Sequence, residues 1–190
     1  MTSTSHRKAR VFTAITLPEH AKKEIQKWIQ LHKNKLPFRN FTHREDYHIT
    51  LQFLGDTEVS EIPKLCDALR GAATQLQAFP LGIGEPGIFG SSTHPRVLWR
   101  GVEGELDQLS TLFEYIVKST LPLGYIPEDR PYRPHITVAR KFDESQKMTW
   151  NLDEIMSHET LDTWLVEGFV LYQTYPGQKP MYKVIENFDF

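Results

Sequence analysis

The sequence predicts an α+β fold in which two similar lobes, each an antiparallel sheet with flanking helices, surround a central cleft. Three observations support this. Amphipathic helical stripes alternate with short β-rich runs, the two halves of the chain repeat the same element order, and neither a Gly-rich phosphate loop nor a long linker interrupts them. A chain of 190 residues that is 39% hydrophobic can bury a proper core. We therefore expect residues 1–190 to form a single bilobal domain.

The first half reads as strand, helix, strand, helix and a group of short strands. Each helix is predicted from apolar residues at a spacing of three or four, and each strand from β-branched and aromatic runs bounded by Gly, Pro or Asp. The predicted elements are a strand at 11–17, a helix opened by Pro18, a loop or edge strand at 38–47, a strand at 47–54 stopped by Gly55-Asp56, a helix from about Ser60, and short strands across 79–102 with turns at 84–87 and 90–92.

The second half repeats the order and adds a closing hairpin. Leucines and isoleucines at helical spacing predict a helix over 106–117, and four prolines mark a loop over 121–134. A strand then ends near Lys141. The predicted elements after it are a polar loop with a short helix within 143–163, and a hairpin built from 164–172 and 181–188.

Charge and cysteine content limit the classes of partner and site. The net charge is −2, from 22 basic and 24 acidic residues, so any nucleic-acid contact must use a local basic patch and a short stretch or an end. A single cysteine, Cys66, excludes an internal disulfide and is expected to be buried as a small apolar residue. Without a long apolar run or a secretory leader, the chain is expected to be a cytoplasmic monomer with no membrane contact.

Two stretches of the chain are nearly identical: His48-Ile-Thr-Leu51 and His135-Ile-Thr-Val138. Side chains alternate along a strand, so His48, Thr50 and Gln52 are predicted to share one face, with the apolar residues between them facing the core. The same alternation places His135 and Thr137 together. A histidine beside a hydroxyl can hold a phosphate oxygen and transfer a proton, and two such strands across a groove could cleave a phosphodiester.

Two other interpretations of the paired histidines stay open on the residues alone. A histidine on a strand is commonly structural or faces solvent. A zinc site that uses both is less attractive, because neither tetrad is accompanied by a third ligand at short spacing. We therefore expect no metal and no cofactor.

The longer segments Tyr47-His-Ile-Thr-Leu-Gln-Phe-Leu-Gly55 and Pro134-His-Ile-Thr-Val-Ala-Arg140 resemble the two signatures of the two-histidine phosphoesterase superfamily. The branch that they resemble contains the bacterial RNA 2′,3′-cyclic phosphodiesterases, historically called 2′-5′ RNA ligases. The first strand, residues 96–99 and the last hairpin are also similar to that family, so the resemblance covers nearly the whole chain.

The resemblance implies a role for each residue that matches the motifs. His48 matches the proton donor to the leaving ribose oxygen, and His135 matches the proton acceptor that activates water. Thr50 and Thr137 match the hydroxyls that hold the phosphate, and Arg140 matches a basic residue near it. Strict alternation, however, places Arg140 on the opposite face from His135, so that its guanidinium could reach the phosphate only through a bend or a strand end.

The implied reaction opens an RNA terminal 2′,3′-cyclic phosphate to a 2′-phosphomonoester, with weak 2′-5′ ligation when a ribose hydroxyl takes the place of water. The implied partner is an RNA 3′ end, whose base could stack on Phe41, Trp99 or Tyr132. One alternative is a phosphodiesterase for a small nucleotide such as ADP-ribose 1″,2″-cyclic phosphate. A second, from another class, is an RNA-end binding module without catalysis.

Overall fold

The computed structural model describes residues 7–145, 151–155 and 163–190. The described elements are, in order, β1 (Lys8–Thr16), α1 (Glu19–His32), β2 (Phe38–Phe41), β3 (His48–Glu58), α2 (Ile62–Ala73), β4 (Phe79–Ser91), β5 (His94–Gly104), α3 (Leu106–Thr120), β6 (Ile136–Phe142), β7 (Thr163–Val166), β8 (Gly168–Thr174) and β9 (Tyr182–Asp189).

The described strands form one antiparallel sheet in the order β7-β4-β5-β6-β3-β1-β8-β9, with β2 beside β6. Lobe 1 consists of β1, β3, β8 and β9, and lobe 2 of β2 and β4–β7. The lobes meet where β3 pairs with β6 through a single residue pair, Ile49 with Ile136. The predicted α+β class with antiparallel sheets is therefore confirmed. The single domain over 1–190 stays a prediction.

The helices cover the two lobes on the side away from the cleft. Trp28 of α1 lies under the Arg100 guanidinium of β5, 4.9 Å from the ring centroid, so α1 packs against lobe 2. Helix α3 reaches lobe 1, where the Thr120 hydroxyl donates to the Gln52 side chain of β3 at 2.8 Å. The buried helix stripes include Ala21, Ile25, Leu65, Leu69, Leu109, Leu112 and Ile116. Full burial of each Leu or Ile stabilises the fold by roughly 1.5–3 kcal/mol.

At two places where the sequence predicts a strand end or a turn, the structure has an uninterrupted strand. Strand β3 runs through Gly55-Asp56, because Gly55 adopts a φ of +78° and pairs with Val11 after a one-residue bulge at Leu54. The predicted turn at 84–87 is an irregularity within β4, which continues to Ser91 and pairs with β5. Glycines and prolines there accommodate a bulge and do not reverse the chain.

The closing hairpin is confirmed in part. Strands β8 and β9 pair from Gly168–Asp189 to Thr174–Tyr182, as predicted. Trp164, which was predicted to belong to the same strand as Tyr172, lies in β7 and pairs with β4 in the other lobe. The chain thus crosses between lobes at Glu167. A short helical turn at Leu152–Ile155 lies within the predicted segment, and residues 146–150 and 156–162 lie outside the described residues.

Strands β3 and β6 carry the same bulge. In β3, Thr13 and Ala14 of β1 pair with Gln52 and Thr50, which leaves Leu51 as the extra residue. In β6, Leu98 and Trp99 of β5 pair with Ala139 and Thr137, which leaves Val138 as the extra residue. Each bulge therefore follows the threonine of a His-x-Thr motif and reverses the alternation beyond it.

The bulge in β3 corrects the predicted position of Gln52. Leu51 and Gln52 are both 3% exposed, and the Gln52 side chain points to α3, not to the cleft with His48. The Thr13 hydroxyl accepts a hydrogen bond from the backbone N–H of Gln52 at 3.1 Å and so holds the irregular backbone. Strict alternation failed because the position of a bulge depends on this partner strand.

Candidate active site

The four residues of the His-x-Thr motifs surround the junction of the lobes. Ile49 and Ile136 are paired and fully buried, so the residues on either side of each point to the opposite, cleft face. The antiparallel register places His48 beside Thr137 and His135 beside Thr50. The two histidines are then diagonal neighbours, roughly 7–8 Å apart across the strands. Both imidazoles therefore lie on the same side of the junction, and their charges interact, since His135 contributes to lowering the pKa of His48.

Both imidazoles are oriented by the same local device. His48 Nδ1 lies 2.7 Å from the carbonyl oxygen of Asp46, and His135 Nδ1 lies 2.7 Å from the carbonyl oxygen of Arg133. Each acceptor is two residues before its histidine. Because a carbonyl can only accept, Nδ1 carries the proton, and Nε2 of the neutral ring is left as an acceptor that can exchange a proton at the cleft.

The side-chain hydroxyl and the backbone carbonyl of Thr50 both form hydrogen bonds to other residues of the site. His48 Nε2 accepts a hydrogen bond from the Thr50 hydroxyl at 3.0 Å. The Tyr132 hydroxyl donates to the Thr50 carbonyl at 3.0 Å, which ties the loop before β6 to β3. Burial raises the pKa of the Tyr132 phenol, so this hydroxyl stays protonated and remains a donor.

The bulge in β6 places Arg140 on the same face as Thr137, which strict alternation did not predict. With Val138 as the extra residue, Val138 and Ala139 are both buried, and Arg140 returns to the face of Thr137. Arg140 Nη2 lies 3.5 Å from the Thr137 hydroxyl oxygen. The guanidinium also lowers the pKa of both His48 and His135, so its charge acts at the cleft.

Burial lowers the pKa of both histidines. Desolvation is the main cause that lowers the pKa of His48 to about 4, against the opposing effect of the Asp46 carbonyl. The pKa of His135 is also lowered, again mainly by desolvation, with Arg140 and Arg130 as further causes. At neutral pH both rings of the free protein are therefore uncharged, and an anionic ligand is needed to favour an imidazolium.

The three predicted stacking residues have different surroundings. The Tyr132 ring lies parallel to Phe113, with centroids 4.4 Å apart, so an internal partner already covers one face. Trp99 lies in the cleft 6.3 Å from the His135 ring and packs on Gly87, where any Cβ would collide with the indole. Phe41 lines an open groove of about 360 Å³ with Lys33 and Asp143, and neither histidine borders that groove.

Several residues that the sequence analysis did not select surround the histidines. The rings of Phe12, Tyr172 and Tyr182 lie 5.0, 6.0 and 5.1 Å from the His48 ring, and the Phe89 ring lies 4.8 Å from that of His135. These contacts desolvate the imidazoles. Their positions follow from strand pairing between distant segments, for which the sequence carries no local signal.

Among the described residues, no cluster of three or more His, Cys, Asp or Glu side chains could hold a metal ion. The described part of the chain also contains no helix that is both long and apolar enough to cross a membrane.

Comparisons with known proteins agree on one family. A family model described as LigT-like phosphoesterase matches residues 15–99, a range that includes the first His-x-Thr motif. An RNA 2′,3′-cyclic phosphodiesterase of Geobacillus stearothermophilus is 35% identical over 183 residues, which cover 96% of this chain and 57% of that protein. The corresponding protein of Bacillus subtilis is 32% identical over 184 residues, covering 93% of this chain and 94% of the relative. The chain thus spans little more than half the length of the first relative and nearly all of the second.

Solved structures share the fold. Escherichia coli LigT complexed with 3′-AMP superposes with a TM-score of 0.76 at 23% identity, covering 97% of this chain and 99% of the other. The structure of the Thermus thermophilus protein TT0787 gives a TM-score of 0.70 at 27% identity, covering 95% and 97%. The family predicted from the two motifs is confirmed. This chain belongs to the LigT-like phosphoesterases of the two-histidine superfamily.

Proposed function

We propose that this protein hydrolyses the 2′,3′-cyclic phosphate at an RNA 3′ end to a 2′-phosphomonoester. The observation that carries the proposal is the matched pair of imidazoles. Each is held by a backbone carbonyl at Nδ1 and presents Nε2 to one cleft, beside a threonine and near Arg140. The related proteins from Geobacillus stearothermophilus and Bacillus subtilis bear the name of this activity.

The proposed reaction needs one base and one acid on opposite sides of the phosphorus. Nε2 of His135 takes a proton from water, whose oxygen forms the new bond to phosphorus. The bond from phosphorus to the ribose 3′ oxygen breaks, and Nε2 of His48 donates a proton to that oxygen. The product carries the phosphate on the 2′ oxygen. Each proton transfer contributes about 10²–10⁴-fold to the rate.

The roles of donor and acceptor come from the family resemblance, and the site must supply the donor's proton. Because burial holds the pKa of free His48 at about 4, the anionic cyclic phosphate must raise it on binding. Thr50, Thr137 and Arg140 hold the phosphate oxygens in this proposal, and the hydroxyls and guanidinium supply the charge-assisted hydrogen bonds. No step requires a metal ion.

A ribose 5′ hydroxyl can replace water as the nucleophile: His135 takes its proton, its oxygen bonds to phosphorus, and the 3′ oxygen leaves with a proton from His48. Weak 2′-5′ ligation is then expected beside hydrolysis, because the same base and acid serve either nucleophile. A small cyclic nucleotide such as ADP-ribose 1″,2″-cyclic phosphate would use the same histidines, and the rates on the two substrates distinguish them. We treat residues 1–190 as one bilobal catalytic unit that acts as a monomer in the cytoplasm.

The test is turnover of a defined oligonucleotide that ends in a 2′,3′-cyclic phosphate, with and without EDTA. We expect turnover in EDTA and a product with a 2′-phosphate, identified by mass spectrometry and by comparison with synthetic standards. The variants H48A and H135A should each lose about 10²–10⁴-fold in kcat, while R39A, at an exposed arginine paired with Asp143, should match the wild type. Loss of activity in EDTA, full activity in the double histidine variant, or binding without turnover would contradict the proposal.

A further inference from the structure

A second, smaller hydrophobic cluster lies on the cleft face of lobe 1. Its buried members, from β1 and β8, are Phe12, Ala14, Val170 and Tyr172. Tyr182, at the start of β9, packs against them and is only partly buried. The cluster borders the cleft, because the rings of Phe12 and Tyr172 lie 5.0 and 6.0 Å from the His48 ring. Tyr182 therefore occupies the rim of this cluster, between apolar packing and the open cleft.

The backbone and the ring of Tyr182 are both held in place. Its backbone N–H donates to the Asp46 carboxylate at 3.1 Å. Its ring meets the Phe12 ring at a centroid distance of 4.9 Å and an angle of 80°, and the His48 ring at 5.1 Å and 87°. A tyrosine side chain has only two χ angles, so these contacts leave its hydroxyl oxygen little freedom of position.

The Tyr182 hydroxyl faces the other lobe across the cleft. Within the described part of the chain it has no hydrogen-bond partner, whereas the Tyr175 hydroxyl of the same hairpin donates to the Gln173 side chain at 3.0 Å. Burial is the main cause that raises the pKa of the Tyr182 phenol, and the Arg140 guanidinium of lobe 2 acts against it. The hydroxyl thus stays protonated at neutral pH, and it shares the cleft with the cation expected at the phosphate.

We propose that the Tyr182 hydroxyl donates a hydrogen bond to a non-bridging oxygen of the bound cyclic phosphate. The Thr50 hydroxyl of lobe 1 already donates to His48 Nε2 at 3.0 Å. Lobe 2 offers two groups for the phosphate, Thr137 and Arg140, and Tyr182 gives lobe 1 a second donor to match them. A hydrogen bond to a charged oxygen is about twice as strong as one between neutral groups. The inference rests on the proposed function and assigns a further phosphate-binding residue to the same cleft.

The variant Y182F tests the hydroxyl alone, because it keeps the ring against His48 and the backbone hydrogen bond to Asp46. Dissociation constants for inorganic phosphate and for adenosine 2′-monophosphate are measured by calorimetry on the wild type and on the variant. Loss of a hydrogen bond to a charged acceptor predicts that Y182F binds each ligand about 10-fold more weakly. The factor should be the same for both ligands, because they share only the phosphate.

A matched control removes a hydroxyl elsewhere in the same hairpin. Tyr175 donates to Gln173, and Y175F should bind both ligands like the wild type. Phosphate binding by Y182F equal to that of the wild type would overturn the proposal, because the ring would then suffice. Weaker binding of the nucleotide with unchanged binding of phosphate would also overturn it, since the hydroxyl would then contact the nucleoside. Failure of the proposed function is distinguishable, because it is read from missing turnover by the wild type.

Discussion

The Asp46 carboxylate accepts a hydrogen bond from the backbone N–H of Met181 at 2.8 Å, across 135 positions of the chain. The same carboxylate accepts a hydrogen bond from the backbone N–H of Tyr182 at 3.1 Å, and the Asp46 carbonyl accepts one from His48 Nδ1. Asp46 is 5% exposed. It thus connects the imidazole of His48 to the hairpin whose Tyr182 ring packs against that imidazole.

Replacing Asp46 by Ala should destabilise the protein by about 2–3 kcal/mol, because two partly buried backbone N–H groups lose a charged acceptor. D46N keeps one amide oxygen and should lose less. Chemical denaturation measures the free energy of unfolding. If Asp46 also positions His48, kcat on a cyclic phosphate substrate should fall in D46N at a temperature where the variant is fully folded. Unchanged kcat in folded D46N would leave Asp46 a purely structural role.

The depressed pKa of His48 predicts a loss of stability in acid. The unfolded imidazole binds a proton near pH 6.5, whereas the folded one binds it only near pH 4, so the unfolded state takes up more protons within this window. The contribution of His48 to the free energy of unfolding should therefore be fully present above pH 6.5. It should decrease by up to about 3 kcal/mol as the pH falls to 4.

Urea denaturation of the wild type and of H48Q at pH 7.0, 6.0 and 5.0 isolates the contribution of His48. The free energy of unfolding of the wild type relative to that of H48Q should decrease as the pH falls, because H48Q lacks only the titration of His48 and keeps every other titrating group. A difference in the free energy of unfolding that is the same at all three pH values would show that the pKa of His48 is not lowered.

Arg140 should affect substrate binding through its charge and its shape. We expect R140A to raise KM for a cyclic phosphate substrate by about 10- to 100-fold, and R140K to lie between R140A and the wild type, because an ammonium lacks the planar fork of the guanidinium. Steady-state kinetics at low and at high salt measures this. A KM in R140A equal to that of the wild type would remove Arg140 from the phosphate site.

Variants of Tyr132 can distinguish a structural role of this residue from a role in base stacking. Y132F removes the hydrogen bond to the Thr50 carbonyl but keeps the ring, and should lower the free energy of unfolding by about 1 kcal/mol with little change in KM. A stacking role predicts in addition that Y132L raises KM for a nucleotide-ended substrate more than its loss of stability explains. Denaturation and kinetics on the two variants separate these outcomes.

Sequence patterning predicted the central part of the site for a clear reason. Up to each threonine the strands are regular, so alternation correctly places His48 and Thr50 opposite Ile49, and His135 and Thr137 opposite Ile136. Beyond each threonine the prediction failed: Gln52 was expected in the cleft and is in the core, and strict alternation placed Arg140 on the opposite face from Thr137, whereas it lies on the same face. The bulges depend on β1 and β5, whose pairing has no local signature.

The folding of β4 illustrates the same limit. A glycine- and proline-rich stretch at 84–87 has the composition of a turn, yet the backbone stays extended, because β5 supplies a partner on either side of the irregularity. Gly87 has a reason of another kind, since its missing side chain makes room for the Trp99 indole. Composition indicates where the chain can deviate from regular structure, and long-range packing decides how.

The extra residue in each motif strand has a consequence for how such an enzyme can change its substrate. The bulge detaches the position that follows it from the regular repeat of the strand, so the side chain there can be exchanged while the histidine and threonine upstream keep their orientation. One framework thereby offers two equivalent positions: the position five residues after His135 holds the cation of Arg140, and the position five residues after His48 holds the aromatic ring of Phe53.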